Sequence, residues 1–278
     1  MKFSVQASAK INWFLLIKGK RPDGYHDIVS PMQCVSLFDI LSFEDAPEIE
    51  LVSDLDLPAE ENLVYKAAVM LKRGVSYARG AKIVLEKNIP LAAGLGGGSS
   101  DAAQTLIGLN RLWGLGMGEE ELMAYGARIG SDVPFFMRGP FSVVEGRGET
   151  VSRLKTDVAV DMLLVKPDIA IPASWAYGKY VAELTKKSVD IKLFCHALGR
   201  KDLTSLRQKV FNDLERGVIE RYRVVAEIKE MLLENGAEIA SMSGSGSAVF
   251  GVFNTEDEAR KASKLMGDYW CRVVKTLV

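Results

Sequence analysis

A glycine-rich segment of the chain has the composition of an anion-binding loop. Residues 90–101 read PLAAGLGGGSSD, with four glycines among positions 94–98 and two serines directly after them. Glycine tolerates positive φ and lets backbone N–H groups approach a ligand without a side chain between them. The segment joins a predicted strand to a predicted helix capped by Ser99 and Ser100. Because the free N–H groups at a helix N-terminus carry partial positive charge, we expect phosphate oxygens to bind there.

Two familiar nucleotide-binding loops are excluded by the residues around these glycines. A Walker A loop has a lysine after its glycines, whereas Ser99 follows them here. A dinucleotide fingerprint has its third glycine at that same position and an acidic residue at the end of the following strand, and the sequence has neither. A plain flexible turn would not need two hydroxyl donors at the cap. A phosphate loop of another kind is therefore the favoured interpretation.

Three further places carry groups that could act on a ligand, and each also has a plain structural interpretation. Lys10 falls in a predicted strand of alternating apolar residues, where an inward lysine needs a carboxylate partner and an outward one is solvated. Asp132 lies in a predicted turn at 130–134, which is a common position for aspartate. Residues 243–247 read SGSGS between two predicted strands, a pattern typical of a ligand-binding loop or of a tight hairpin.

The elements that must position these groups are strands and helices in no regular alternation. Predicted strands lie at 3–7, 11–17, 37–43, 49–52, 81–87, 141–145, 162–165, 239–242, 248–253 and 271–277, and predicted helices at 61–72, 99–113, 119–129, 174–184, 203–216, 221–235 and 256–266. This irregular mixture predicts an α+β fold. The polar stretch 146–157 is the best candidate for a domain junction, so we expect domains at 1–153 and 154–278.

Composition excludes several classes of protein. The 35 Lys and Arg residues against 36 Asp and Glu leave a formal net charge of −1, so no overall positive field favours nucleic acid or anionic lipid. Three separated cysteines and two histidines indicate neither a disulfide scaffold nor a zinc cluster. The N-terminus lacks a signal-peptide pattern, and no apolar run approaches the ~18 residues of a membrane span. We expect a soluble, cytoplasmic monomer or weak homodimer that binds neither membrane nor nucleic acid.

The glycine-rich segment and five other motifs together resemble the GHMP kinase family over nearly the whole chain. The five motifs are Ala9-Lys10-Ile11-Asn12, Arg21-Pro22-Asp23-Gly24-Tyr25-His26, Glu61-Asn62-Leu63-Val64, residues 130–136 (GSDVPFF) and residues 243–247. The resemblance is greatest to members that phosphorylate the 2-hydroxyl of a CDP-linked polyol, methylerythritol, on a route to isoprenoid precursors. It implies a two-domain GHMP kinase fold, with an N-terminal domain like ribosomal protein S5 domain 2 and a C-terminal ferredoxin-like α/β sandwich. It also implies that the chain uses ATP and Mg²⁺, with no dedicated metal site formed by side chains.

The same resemblance implies roles for individual residues. Asp132 would accept the proton of the acceptor hydroxyl, and Lys10 would pair with it and stabilise charge on the acceptor oxygen. Tyr25 and Tyr177 would enclose the cytosine, whose hydrogen-bonding edge His26 would bind. The remaining substrate contacts would come from Asn12, Gly244 and Ser245. A serine hydroxyl at the helix start would lie near Mg²⁺. The residues expected to contact ATP are Asn62, Leu63, Lys87, Pro90, Leu91, Ala92, Ala93, Gly94, Leu95, Gly96, Gly97, Gly98, Ser99 and Ser100.

Two other functions stay open at this point. A GHMP kinase for a smaller alcohol, such as homoserine or mevalonate, would share the phosphate loop, but Tyr25 and Tyr177 would have no base to enclose. A noncatalytic nucleotide-binding or RNA-binding module could share the fold, since a fold does not determine a function. The near-neutral charge and the presence of both Lys10 and Asp132 argue against such a module. Trp13 and Ala173 depart from the family pattern, which usually has a smaller aliphatic residue at the first position and in some members a hydroxyl at the second.

Overall fold

The computed structural model describes residues 2–180 and 189–278, which form two compact units. The first unit contains 2–9, 37–91 and 96–139, and the second contains 10–36, 92–95 and the described part of 140–278. Strands β1 (Lys2–Asn12) and β3 (His26–Ala46) each begin in one unit and end in the other. The domain boundary that the sequence predicts between residues 153 and 154 stays a prediction.

The described ranges contain strands and helices of ordinary length, apart from the unusually long β3. After β1, the strands are β2 Leu16–Lys20, β3, β4 Ile49–Ser53, β5 Gly80–Glu86, β6 Phe141–Gly146, β7 Thr150–Arg153, β8 Asp161–Lys166, β9 Ile239–Met242, β10 Val249–Phe253 and β11 Trp270–Lys275. The helices are α1 Leu63–Gly74, α2 Gly97–Trp113, α3 Glu119–Ile129, α4 Val133–Arg138, α5 Ala173–Gly178, α6 Ile191–Gly199, α7 Leu203–Arg207, α8 Glu215–Arg221, α9 Val224–Glu234 and α10 Glu256–Ser263.

The first unit is a small sheet packed against helices. The second half of β3 pairs antiparallel with β5, and β5 pairs in parallel with β4. Helix α2 contacts α1, α3 and α4, so it is the central helix of this unit. The predicted apolar faces of α1 and α2 are buried, and they consist of Val64, Ala67, Ala68 and Leu71 in α1 and Ala102, Leu106, Leu109 and Trp113 in α2. Helical spacing of apolar residues therefore predicted both faces correctly.

The second unit contains two antiparallel arrangements of strands. The first half of β3 pairs with β2 and β6, and β6 pairs with β7. A separate four-stranded antiparallel sheet has the order β11-β8-β10-β9. Helices α9 and α10 contact this sheet, and α9 buries Val225, Ile228 and Leu232. Helices packed on antiparallel sheets confirm the predicted α+β class.

The structure corrects two of the predicted helices. Ser99 and Ser100 do not cap α2, because the helix begins at Gly97 and the cap is Gly96, which has φ of 72°. The helix expected at 203–216 is divided into α7 and α8. Between them the Asn212 side chain donates to the carbonyl oxygens of Met242 and Gly244, at 2.9 and 2.7 Å, and these bonds hold the chain out of a helical path. Part of the helix expected at 174–184 lies outside the described residues.

Candidate active site

The start of α2 is formed by glycines, where the sequence predicts an anion site. The left-handed Gly96 turns the chain into the helix, and its carbonyl oxygen accepts the hydrogen bond of the Ser100 N–H, at 2.9 Å. A Cβ on Gly97 would lie 2.9 Å from Cγ2 of Ile89, so this position has no space for a side chain. Ser100 Oγ is buried and has no hydrogen-bond partner within the described ranges. The first turn of α2 therefore offers N–H groups and a buried hydroxyl to a ligand.

Two of the residues expected to contact ATP border this turn in the first unit. A Cβ on Gly98 would lie 3.5 Å from Cδ1 of Leu63, so Leu63 lies directly beside the glycines. Asn62 caps α1, because its Oδ1 accepts the hydrogen bond of the Val64 N–H at 2.9 Å. The capping bond fixes the first turn of α1, and with it the position of Leu63.

Lys87, also expected to contact ATP, lies in a buried cluster of charged groups below α2. Its Nζ donates to Asp39 and, at 2.7 Å, to Oδ2 of Asp101, and its side chain is only 6% exposed. The other oxygen of Asp39 accepts the N–H groups of Asn88 and Ile89, at 2.6 and 2.8 Å. Burial raises the pKa of Asp101 to about 7; the Lys87 charge opposes this rise and the Asp39 charge adds to it. The cluster ties the end of β5 and the start of α2 to β3.

Asp132 belongs to the same unit as the phosphate helix. The turn that carries it closes with a hydrogen bond from the Val133 N–H to the Gly130 carbonyl oxygen, at 3.2 Å, and Asp132 directly precedes α4. A Cβ on Gly130 would lie 3.9 Å from the Ser99 hydroxyl oxygen. The first unit therefore brings the segment that carries the candidate base next to the first turn of α2.

Lys10 and Asn12 form a buried hydrogen-bonded pair in the second unit. The Lys10 side chain donates to Oδ1 of Asn12 at 2.6 Å, and Nδ2 of Asn12 donates to the Ser30 hydroxyl at 2.8 Å. Ser30 in turn donates to the Phe14 carbonyl oxygen at 2.6 Å. This chain of bonds fixes the orientation of the Asn12 amide. Lys10 is only 3% exposed, so its charged group is held inside the protein.

The two glycine loops meet beside Lys10. The Ser243 hydroxyl donates to the Gly94 carbonyl oxygen at 3.0 Å, and a Cβ on Gly94 would collide with the Ser243 backbone. A Cβ on Gly244 would lie 3.2 Å from Nζ of Lys10 and 3.1 Å from Oδ1 of Asn12. Ser245 lies in the same turn, which a hydrogen bond from the Gly246 N–H to the Ser243 carbonyl oxygen closes at 2.9 Å. The second unit thus gathers the predicted residues Lys10, Asn12, Gly244 and Ser245.

A cluster of aromatic rings lies at the β2–β3 turn of the second unit. The rings of His26 and Tyr177 are stacked, with centroids 5.4 Å apart, and Tyr180 meets His26 edge-on at 5.9 Å. Tyr25 is 53% exposed, and the Arg147 guanidinium lies 5.4 Å from its ring centroid. Burial and then the Lys20 charge lower the pKa of His26, which keeps the imidazole neutral at pH 7. Tyr180 was not among the predicted residues, although its spacing of three residues from Tyr177 is visible in the sequence.

The predicted residues are thus divided between the two units. Asn12, Tyr25, His26, Tyr177, Gly244 and Ser245 lie with Lys10 and 92–95 in the second unit, and Asn62, Leu63, Lys87, Pro90, Leu91 and Asp132 lie with Gly96 to Ser100 in the first. The pairing of Lys10 with Asp132 joins groups from different units and stays a prediction. Within the described residues, no three His, Cys, Asp or Glu side chains are grouped to hold a metal ion. No helix of the described ranges is both long and apolar enough to cross a membrane.

Similarity to known proteins covers both units. Residues 62–140 match the family described as GHMP kinases N terminal domain, and residues 194–270 match GHMP kinases C terminal. A 4-diphosphocytidyl-2-C-methyl-D-erythritol kinase of Thermodesulfovibrio yellowstonii is 46% identical over 98% of this chain and 97% of its own. A 4-diphosphocytidyl-2-C-methyl-D-erythritol kinase of Caldanaerobacter subterraneus is 42% identical over 94% of this chain and 92% of its own.

Solved structures resemble the whole chain. The crystal structure of a 4-(cytidine 5'-diphospho)-2C-methyl-D-erythritol kinase superposes with a TM-score of 0.88 at 30% identity, covering 99% of each chain. A homoserine kinase from Cytophaga hutchinsonii superposes with a TM-score of 0.71 at 16% identity, covering 100% of this chain and 95% of its own. The second likeness shows a shared fold alone.

Proposed function

The chain belongs to the GHMP kinase family and, within it, to the 4-diphosphocytidyl-2-C-methyl-D-erythritol kinases, and from this premise we propose which reaction its residues perform. The reaction is transfer of the γ-phosphoryl group of ATP to the 2-hydroxyl group of 4-diphosphocytidyl-2-C-methyl-D-erythritol. Phosphoryl transfer of this kind depends mainly on alignment and on neutralising charge. A cytoplasmic location, where ATP is supplied, is part of the same proposal.

The first turn of α2 binds the ATP phosphates in this proposal. Its first residues, Gly97 and Gly98, carry no side chains, and the helix dipole favours negative charge at this end. Leu63 borders the glycines and provides an apolar surface for the adenine. Ser99 or Ser100 would offer a hydroxyl group to Mg²⁺, most of whose ligands would be phosphate oxygens and water. When bound, Mg²⁺ supplies positive charge that offsets the charge of the β- and γ-phosphates.

Lys10, Asn12 and Asp132 act on the acceptor hydroxyl. Asp132 accepts its proton as the new O–P bond forms, and Lys10 stabilises the charge on the oxygen. Asn12 is suited to position the hydroxyl and Lys10, because its own amide is fixed by hydrogen bonds to Lys10 and Ser30. Gly244 leaves room for the substrate beside these groups, since a side chain there would come within 3.2 Å of Lys10.

The observation that carries the choice of substrate is the aromatic cluster of the second unit. The exposed ring of Tyr25 and the stacked rings of His26 and Tyr177 provide flat surfaces for a base, and the neutral imidazole of His26 can donate and accept hydrogen bonds. Homoserine and mevalonate contain no base, so a kinase for either would not use these surfaces. A substrate that carries cytidine diphosphate uses them.

Turnover of ATP with three candidate acceptors tests the proposal. We expect ADP release with 4-diphosphocytidyl-2-C-methyl-D-erythritol and none above background with homoserine or mevalonate. Comparable turnover with either smaller alcohol would assign the chain to another GHMP activity. The absence of turnover with all three, together with RNA affinity that falls as salt rises, would favour the noncatalytic module.

A further inference from the structure

The outer face of α1 and the end of α3 enclose a groove that has no role in the proposed reaction. The groove has a volume of about 630 Å³, and all of its lining residues belong to the first unit. A volume in this range accommodates a small organic molecule. The residues that matter for its chemistry are an apolar group, Tyr65, Val69, Met70 and Ile129, and a charged group, Glu60, Lys66, Arg73 and Arg128.

The apolar group forms the floor of the groove and the charged group forms its rim. Tyr65, Val69, Met70 and Ile129 are all half-buried, so they present apolar surface without being part of the core. Lys66, Arg73 and Arg128 are exposed, and Glu60 is the one acidic lining residue. The rim therefore carries an excess of positive charge, although the whole chain has a net charge of −1.

The three rim cations are not neutralised by neighbouring acidic groups. In the part of the chain that the structure describes, no carboxylate lies within 4 Å of the charged groups of Lys66, Arg73 or Arg128. Other cations on the helices of the first unit differ. Lys72, next to Arg73, donates to Glu48 at 2.8 Å, and Arg138 binds Glu119 and Glu120 on α3 at 2.9 and 2.8 Å. The groove thus concentrates the cations of this surface that lack a protein counter-ion.

The spacing along α1 defines the shape of a matching ligand. Lys66 and Arg73 are seven residues apart, which places them on one face of the helix at a separation of roughly 10 Å along its axis. Val69 and Met70 lie between them on that face. A guanidinium group binds phosphate through two parallel hydrogen bonds, so arginines at the rim favour a phosphate over a weaker anion. We propose that this groove binds a small organic phosphate that carries an apolar body.

Binding of three simple probes to the intact protein tests both parts of this ligand. Hexyl phosphate has an anionic group and an apolar chain, hexanol has only the chain, and inorganic phosphate has only the anion. In isothermal titration calorimetry we expect saturable binding of one hexyl phosphate per chain, and none of either other probe at the same concentration. Equal binding of hexanol or of inorganic phosphate would overturn the proposal, because one half of the ligand would then suffice. Binding only to vesicles of anionic lipid would overturn it in favour of a membrane surface.

Substitutions on adjacent residues locate the binding. Arg73→Gln should weaken hexyl phosphate binding by about fivefold, as expected for loss of one exposed charge contact. Val69→Asp should abolish binding, because it places a carboxylate on the apolar floor. Lys72→Gln is the matched control. It also removes one positive charge, at the position next to Arg73, but Lys72 does not line the groove.

Two results would contradict the assignment to this groove. Equal weakening by Lys72→Gln and Arg73→Gln would show that only the general surface charge matters. Displacement of hexyl phosphate by a non-hydrolysable ATP analogue would show that the probe occupies the nucleotide site. Circular dichroism of each variant confirms that the chain remains folded, so an effect on binding is read separately from unfolding.

Discussion

Lys10 and Lys87 are both buried lysines next to a glycine loop, yet their surroundings differ. Lys87 donates to two carboxylates, Asp39 and Asp101, that lie in its own unit. Lys10 donates to the amide oxygen of Asn12, and it lies where a side chain on Gly244 would almost touch it. In the sequence, both were predicted to contact a ligand. Lys87 is thus enclosed by carboxylates at the start of α2, whereas Lys10 borders the glycine loop at which the substrate is proposed to bind.

The difference shows that burial alone does not identify a catalytic lysine. A buried cation that is matched by carboxylates stabilises the fold around it, and removal of the cation leaves those carboxylates without compensation. A buried cation beside a small, glycine-bordered space can stabilise charge on a bound substrate. The space beside each lysine, rather than its position in a strand, separates the two proposed roles.

The largest expected effect concerns Asp132, the carboxylate proposed to act together with Lys10. Asp132→Ala should lower kcat by roughly 10²- to 10⁴-fold, because the acceptor hydroxyl loses its general base. ATP affinity should stay nearly unchanged, since the first turn of α2 is intact. Steady-state turnover and calorimetric titration of an ATP analogue measure the two quantities. An unaltered kcat would show that Asp132 is not the general base. The proposal that Lys10 and Asp132 act together in catalysis would then be wrong.

The second effect concerns stability. Lys87→Met should lower the free energy of unfolding by about 3–5 kcal/mol, because Asp39 and Asp101 would remain buried without their cation. Urea denaturation measures this quantity, and Lys82→Met is the control, since Lys82 is an exposed lysine on β5, the strand that ends just before Lys87. Lys10→Met should instead lower kcat more than it lowers stability. If Lys87→Met left the stability intact and reduced only turnover, the proposed difference between the two lysines would be wrong.

A smaller effect follows from the protonation of the Lys87 cluster. The pKa of Asp101 is raised from 3.8 to about 7, so between these values the folded chain holds a proton that the unfolded chain has released. The free energy of unfolding should therefore fall as pH rises from about 4 to about 7, by at most about 1.4 kcal/mol per pH unit. Asp101→Asn removes this titration and should make the fall shallower. Urea denaturation across that range provides the test, and equal slopes for the two proteins would contradict it.

The smallest expected effect concerns the aromatic cluster. Tyr25→Ala should raise KM for the cytidine-bearing substrate by the equivalent of about 1–3 kcal/mol, the value of one base-aromatic stack. The variant Tyr125→Ala is a matched control, because Tyr125 also has an arginine over its ring but lies in the first unit. Its KM should equal that of the unmodified chain. A KM that is unchanged by Tyr25→Ala would count against base stacking.

Local patterns predicted the parts of this molecule that depend on local forces. Helix α3 begins and ends where the sequence predicted, at Glu119 and Ile129, because glutamates fill its first turn and apolar residues repeat at helical spacing. The position of the glycine loop before α2 was equally visible. The cap of α2 was predicted wrongly because serine is the commoner capping residue, whereas a left-handed Gly96 takes that position here.

Features that depend on distant residues could not be predicted in the same way. Asp39 and Asp101 meet at Lys87 although they lie 48 and 14 residues from it, and no spacing rule connects them. Strand β3 extends over 21 residues, far beyond the predicted 37–43, because pairing with β6 carries it through Pro31. Trp13, a departure from the family pattern, is fully buried and donates to Gln33 at 2.8 Å, so it contributes to the core of the second unit.

The break between α7 and α8 links helix stability to the shape of the loop beside Lys10. A continuous helix through this stretch would withdraw the Asn212 amide from the carbonyl groups of Met242 and Gly244. Substitutions that raise helix propensity and join α7 to α8 would therefore stabilise the local helix. At the same time they would loosen the loop 243–247. Thermostabilising engineering of this protein should leave the interruption in place.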